Sequence, residues 1–240
     1  MKKFPFVNIF LICLVAIMSC ADEKSSALFN EVNITTDSNE IVDIYIPRAT
    51  GDNPVSEKIN AKIDALIMAS LHVGDSETST PATLDESINN FNKEYLNFQA
   101  QFPESPMVWE AQIDGELSYL SDAIISIAIT NYQNTGGAHG NLVISFLNFD
   151  RNTGDIISNH NLFSNLNAFQ DIARTYFFNE IADKKENYFD PNNFALPENI
   201  GFDDDGLILL YNTYEIAPYS SGLTEIHIPF DEIDSLLTFK

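Results

Sequence analysis

WEAQIDGELSYLSDAIISIAITNYQ, residues 109–133, is the stretch whose reading decides the fold class. Short runs rich in β-branched and aromatic residues predict successive strands at 109–113, 116–121 and 123–133. Asp114-Gly115 is the dipeptide of a tight two-residue hairpin turn, so the strands read as an antiparallel meander. Residues 142–149 continue it with another strand, followed by the turn 150–155 and a short strand at Ile156 and Ile157.

Working outward, 40–47 alternates apolar and polar residues and stops at Pro47, which predicts a strand, and 48–53 is turn-like. Asn53 can cap a helix with Pro54 at its first position, and Ile59, Ile63, Leu66 and Ile67 then fall on one face. After a Gly, Ser and Thr loop at 73–81, Thr83 or Asp85 can cap a second helix that buries Leu84, Ile88, Phe91, Tyr95 and Phe98. Pro103 and Pro106 end it. A third amphipathic helix is expected over 167–181, strands over 200–202, 207–212 and 224–229, and a terminal helix over 230–237. Strand runs and helices come in blocks, so the expected fold class is α+β: two small lobes, each a mostly antiparallel sheet packed with helices, dividing as 40–150 and 151–240.

The amino end predicts export. Lys2 and Lys3 precede an apolar run, 4–18, too short and interrupted to span a bilayer, and Ile17-Met18-Ser19-Cys20 resembles a lipobox. Residues 1–19 are therefore expected to be a signal peptide, Cys20 the lipidated first mature residue, and 20–39 a polar flexible tether leading into a first strand. Cys13 leaves with the signal, so no disulfide is expected and the fold must rest on its core. The expected location is the cell envelope, with the membrane contacted through the anchor. Charge supports a particular class of partner: 12 Lys and Arg against 35 Asp and Glu give a net charge of −23. Such a surface repels nucleic acid and anionic lipid and steers cationic partners inward.

Two blocks carry a family resemblance. Thr135-Gly136-Gly137-Ala138-His139-Gly140 stands between strands. Residues 194–230 hold Leu196-Pro197, Tyr211, Tyr214-Glu215-Ile216-Ala217-Pro218-Tyr219, Gly222 and Ile228-Pro229-Phe230. Together they resemble the RsiV-like extracytoplasmic family, with the part before them similar to that family's smaller, PdaC-like domain. In that family the module occurs in a lysozyme-sensing anti-sigma factor, beside a peptidoglycan deacetylase domain, and in lipoproteins. The resemblance implies a non-catalytic module that binds an envelope ligand, either a cationic lysozyme-like protein or a peptidoglycan glycan. The alternatives are a cell-wall hydrolase or deacetylase-type enzyme using carboxylates as acid and base, and a structural component of an envelope assembly.

The candidate ligand-binding residues are Gly136, Gly137, His139 and Gly140, with Tyr211, Tyr214 and Tyr219. Glycines let backbone approach a ligand and the imidazole offers a hydrogen bond, but the same glycines also serve a hairpin connection alone. Tyrosine combines contact area with a polar tip and suits a binding surface, or equally the packing at a seam between strands. Catalytic, cofactor and metal sites are not expected. Residues 136–140 lack the Lys-Ser/Thr of a phosphate loop. His72, His160 and His227 have no zinc-ligand spacing, and 203–206 lacks the later ligands of a calcium loop, which leaves it a solvated turn. No Gly-x-Ser-x-Gly elbow occurs.

Overall fold

The computed structural model describes residues 28–74 and 81–239. The expected signal, Cys20 and the start of the tether lie outside the described residues. Among those described, four helices and two sheets make an α+β fold of two lobes. No described helix is long and apolar enough to cross a membrane.

In the first lobe β1 (Phe29–Ile34), β2 (Val42–Ala49), β3 (Glu110–Leu120), β4 (Ile124–Asn134) and β5 (Asn141–Asp150) form one sheet in that order. β2 and β3 are parallel and the other neighbours antiparallel. A parallel pair needs a long crossover, and α1 (Pro54–Ser70) and α2 (Leu84–Gln101) supply it while covering one face of the sheet. α1 starts where the Asn53 side chain accepts from the N–H of Val55 and Ser56, and it turns Ile59, Ile63 and Ile67 into the core. α2 starts at Thr83, whose hydroxyl accepts from Glu86 N at 3.2 Å, and lays Phe91, Tyr95 and Phe98 around Trp109.

Three local expectations change. β3 runs straight through Asp114 and Gly115, which pair with Thr130 and Ile129 of β4. Gly115 is there for close approach: a Cβ on it would stand 2.8 Å from both Ile129 Cδ1 and Pro47 Cδ. The chain reverses instead at 121–123, where Ser121 Oγ accepts from the N–H of Ala123 and Ile124. Pro47 does not end β2, which continues to Ala49. Pairing with β3 is finished by Tyr45, so a residue without an N–H is tolerated beyond it. The polar stretch taken for tether contains β1, an edge strand that buries Phe29 and leaves its Asn and Glu side chains to water.

The second lobe holds α3 (Leu166–Glu180), β6 (Asn199–Phe202), β7 (Gly206–Tyr211), β8 (Thr224–Pro229) and α4 (Phe230–Ile233), the last followed by a short 3-10 turn where a longer helix was expected. β6, β7 and β8 form an antiparallel sheet. Its core joins Phe169, Ala173 and Phe177 of α3 to Phe202, Leu207, Leu209, Ile226 and Ile228.

β4 belongs to both lobes, because every residue from 124 to 129 is buried. Ile125, Ile127 and Ile129 face the helices of the first lobe, whereas Ile124 packs in the core of the second. Polar side chains make the seam specific. Ser126 Oγ accepts from Phe202 N at 3.2 Å, and Asn148 Nδ2 donates to Ile200 O at 2.7 Å. Gly201 lies directly under the Phe146 ring, with no room for a Cβ.

Candidate functional site

Two connections, one from each lobe, meet at one end of this seam. Residues 135–140 join β4 to β5, and 212–223 join β7 to β8. The first connection turns at Gly136, whose φ of +105° favours glycine and whose missing Cβ leaves room for Met107. Gly140 is buried edge-on against the Tyr132 ring, where a Cβ would overlap it. Between these glycines the loop lifts His139 into solvent.

The second connection is built by side chains that cap its own backbone. Glu215 Oε2 accepts from Asn212 N and Oε1 from Glu198 N, both at 2.9 Å. Glu215 N donates to Asn212 O and Tyr214 N to Ala217 O, each at 3.1 Å. Burial holds the Glu215 carboxyl above the usual range, opposed by these two backbone N–H groups. Asn212 also clamps the turn to the other lobe: its Oδ1 accepts from Ile144 N and its Nδ2 donates to Ile144 O, both at 2.9 Å, closing part of the β5 edge.

Four of the seven candidate ligand-binding residues come together here. The His139 and Tyr219 rings stack with centroids 3.6 Å apart and planes 15° apart, and Tyr214 leans on Tyr219 at 5.9 Å and 34°. Gly140 O accepts from Tyr219 Oη at 3.1 Å and from His139 Nδ1 at 2.9 Å. A carbonyl only accepts, so Nδ1 carries a proton, and Nε2 pairs with Tyr214 Oη at 3.4 Å. The result is a cluster of rings with polar tips. Tyr214 is 56% exposed.

The other three candidates do not join it. Gly137 is an exposed spacer with nothing but His139 O near a notional Cβ. Gly136 shapes the loop from its base. Tyr211 is a core residue, 1% exposed, whose hydroxyl donates to Ala195 O at 2.7 Å. Burial first and the Glu215 charge second push its phenol far above the ordinary range. Sequence reasoning passed over Asn212 and Glu215, whose spacing of three around a Tyr is the local signal of a capped turn. It also passed over Phe189, 61% exposed, whose N–H donates to Ile216 O of the same turn at 3.0 Å.

The remaining histidines stand apart. His72 and His160 are exposed, and His227 sits between Glu225 Oε1 at 2.7 Å and Asp203 Oδ2 at 3.3 Å. Among the described residues no group of three His, Cys, Asp or Glu is placed to hold a metal ion. Asp203 is engaged by its own turn, accepting from Asp205 N at 3.0 Å and Gly206 N at 2.8 Å.

Comparison with known proteins matches both parts of the chain. Residues 34–142 match the family model described as deacetylase PdaC, and residues 155–231 match that described as a protein of unknown function, DUF3298. No curated protein matches significantly. A crystal structure of a DUF3298 family member from Bacteroides fragilis is similar with a TM-score of 0.62 and 19% identity, over 87% of this chain and 92% of that one. A DUF3298 family protein from Pseudomonas aeruginosa gives 0.56 and 19%, over 88% and 92%. At that identity the likeness is one of fold. The two family models and the fold likeness together show a PdaC-like part followed by a DUF3298-like part, consistent with the resemblance of the two motif blocks to the RsiV-like family.

Proposed function

We propose that the protein is a non-catalytic binding module of the cell envelope, held to a membrane through lipidated Cys20, that captures an extracytoplasmic ligand on the surface made by His139, Gly140, Tyr214 and Tyr219. The observation that carries this reading is the stacking of His139 on Tyr219 between loops of different lobes. Both segments are held by backbone capping and by glycines under rings, so the aromatic surface is rigid before any ligand arrives, and rigid aromatic anchors lose little freedom on binding. A net charge of −23 favours a cationic partner by long-range attraction, which puts a lysozyme-like protein ahead of a peptidoglycan fragment. The deacetylase activity in the name of the model matching 34–142 is not carried over. The family's module lies outside the catalytic domain of that enzyme, and His139 here is paired with Gly140 O and with Tyr214, without a carboxylate to make it an acid–base pair.

Titration of the protein with a cationic lysozyme and with soluble muropeptides, each at low and physiological salt, tests this. The expected result is lysozyme binding that weakens as salt rises, since the steering field is screened beyond about 8 Å at physiological ionic strength. Binding to neither probe at either salt concentration defeats the proposal.

A further inference from the structure

Tyr214 is the one non-glycine residue with a left-handed backbone among those described, at φ +69°. A bulky side chain is an outlier there because its Cβ crowds the following carbonyl, and such a conformation persists where surrounding contacts over-determine it. Those contacts are present: the Tyr214 N–H bond to Ala217 O, the Glu215 carboxylate bridging Asn212 N and Glu198 N, and the Asn212 clamp on Ile144. Glycine or asparagine would suit the turn with less strain. Burial does not compensate for choosing tyrosine, since more than half of the side chain is in water. Its ring touches only the edge of the site, through Tyr219 at 5.9 Å and the long hydrogen bond to His139.

We infer that Tyr214 is the preorganised anchor of the ligand surface: the turn gives up fold stability to hold this one ring outward in a fixed pose. Strain in an exposed, over-determined position has a use if a partner covers the ring, because the backbone and rotamer are then already fixed when the partner arrives. The inference rests on the binding reading above and adds to it which residue dominates recognition. Tyr219 and His139 then act as the support against which Tyr214 leans.

The test uses the whole protein carrying Tyr214→Gly or Tyr214→Phe, with urea unfolding alongside titration against the cationic lysozyme and muropeptides. Tyr214→Gly is expected to unfold at the same urea concentration as wild type or a higher one. It is also expected to weaken binding about tenfold or more, as ring truncation at a hot spot does. Tyr214→Phe keeps the ring and is expected to stay within about threefold of wild-type affinity, the loss of one exposed hydrogen bond. A Tyr214→Gly protein that binds as wild type does, or that unfolds at clearly lower urea, overturns the inference, because the ring then serves nothing or serves the fold. Wild type that binds neither probe removes the binding reading and the anchor together, whereas wild-type binding preserved in Tyr214→Gly removes the anchor alone.

Discussion

The turns at 203–206 and 212–217 leave the two ends of the same strand, β7, and both use a carboxylate to cap backbone N–H groups, yet they are built to opposite ends. In the first, Asp203 caps the N–H groups of its own turn, Asp205 and Gly206, while its second oxygen meets His227 on β8. The backbone there is unstrained, and the turn does no more than join β6 to β7. In the second, Glu215 reaches outside its turn to Glu198, Asn212 reaches to the other lobe, and Tyr214 is held at positive φ. One turn is closed upon itself. The other draws on both lobes to fix an exposed ring, and that difference separates a turn that makes the fold from a turn that the fold makes.

The largest effect on this contrast is expected at Gly206. A Cβ there would meet the backbone of β8 at Ile228 O, which has no freedom to move away, so Gly206→Ala forces the hairpin apart. Overpacking of this kind costs about 3 kcal/mol. Urea unfolding should show that loss, and a wild-type midpoint would mean that the first turn is not the rigid frame described.

Glu215→Ala comes next. It removes the acceptor of the part-buried Asn212 N–H and of the exposed Glu198 N–H, which tie the turn to the chain before β6, with an expected loss of about 2 kcal/mol in urea unfolding. Its pH dependence has a definite sign. The folded protein holds this carboxyl above its ordinary value of 4.5, so the folded state binds the proton more tightly and ionisation of Glu215 works against folding. That penalty is absent below the unfolded value and is fully present once pH has risen past the raised folded value. The stability difference between wild type and Glu215→Ala should therefore be greatest near pH 4 and shrink as pH climbs toward 7. A difference that grows with pH would show that the two backbone N–H groups outweigh burial.

Much of this was legible in the chain. α1 follows from Asn53, Pro54 and the spacing of Ile59, Ile63 and Ile67, because capping and periodicity are local properties written within a few residues. The Thr135 to Gly140 and Tyr214 to Tyr219 blocks also stood out by themselves. What local sequence does not hold is which element lies alongside which. Asp114-Gly115 has the propensity of a turn, and only the close approach of Pro47 and Ile129 from the neighbouring strands explains a glycine in mid-strand. Tyr211 and Tyr214 are three residues apart with the same side chain, one in the core and one in water, since β7 carries the first inward and the left-handed turn throws the second out. The parallel pairing of β2 with β3 is likewise set by the crossover, not by either strand's own pattern.

The smallest expected effect is at Asp203, and it sharpens the comparison most directly because the chemistry resembles that of Glu215. Asp203→Ala deletes the acceptor for the exposed Asp205 N–H, which water can satisfy in its place, and for the part-buried Gly206 N–H, and it frees His227, which still has Glu225 at 2.7 Å. The loss of such a local cap is about 1 kcal/mol. The variant should unfold slightly earlier in urea and bind the lysozyme probe as wild type does, because nothing in the 203–206 turn reaches the rings of His139, Tyr214 or Tyr219. Loss of binding in Asp203→Ala would place the ligand across β8 and the first turn, and the two carboxylate-capped turns would then share one task.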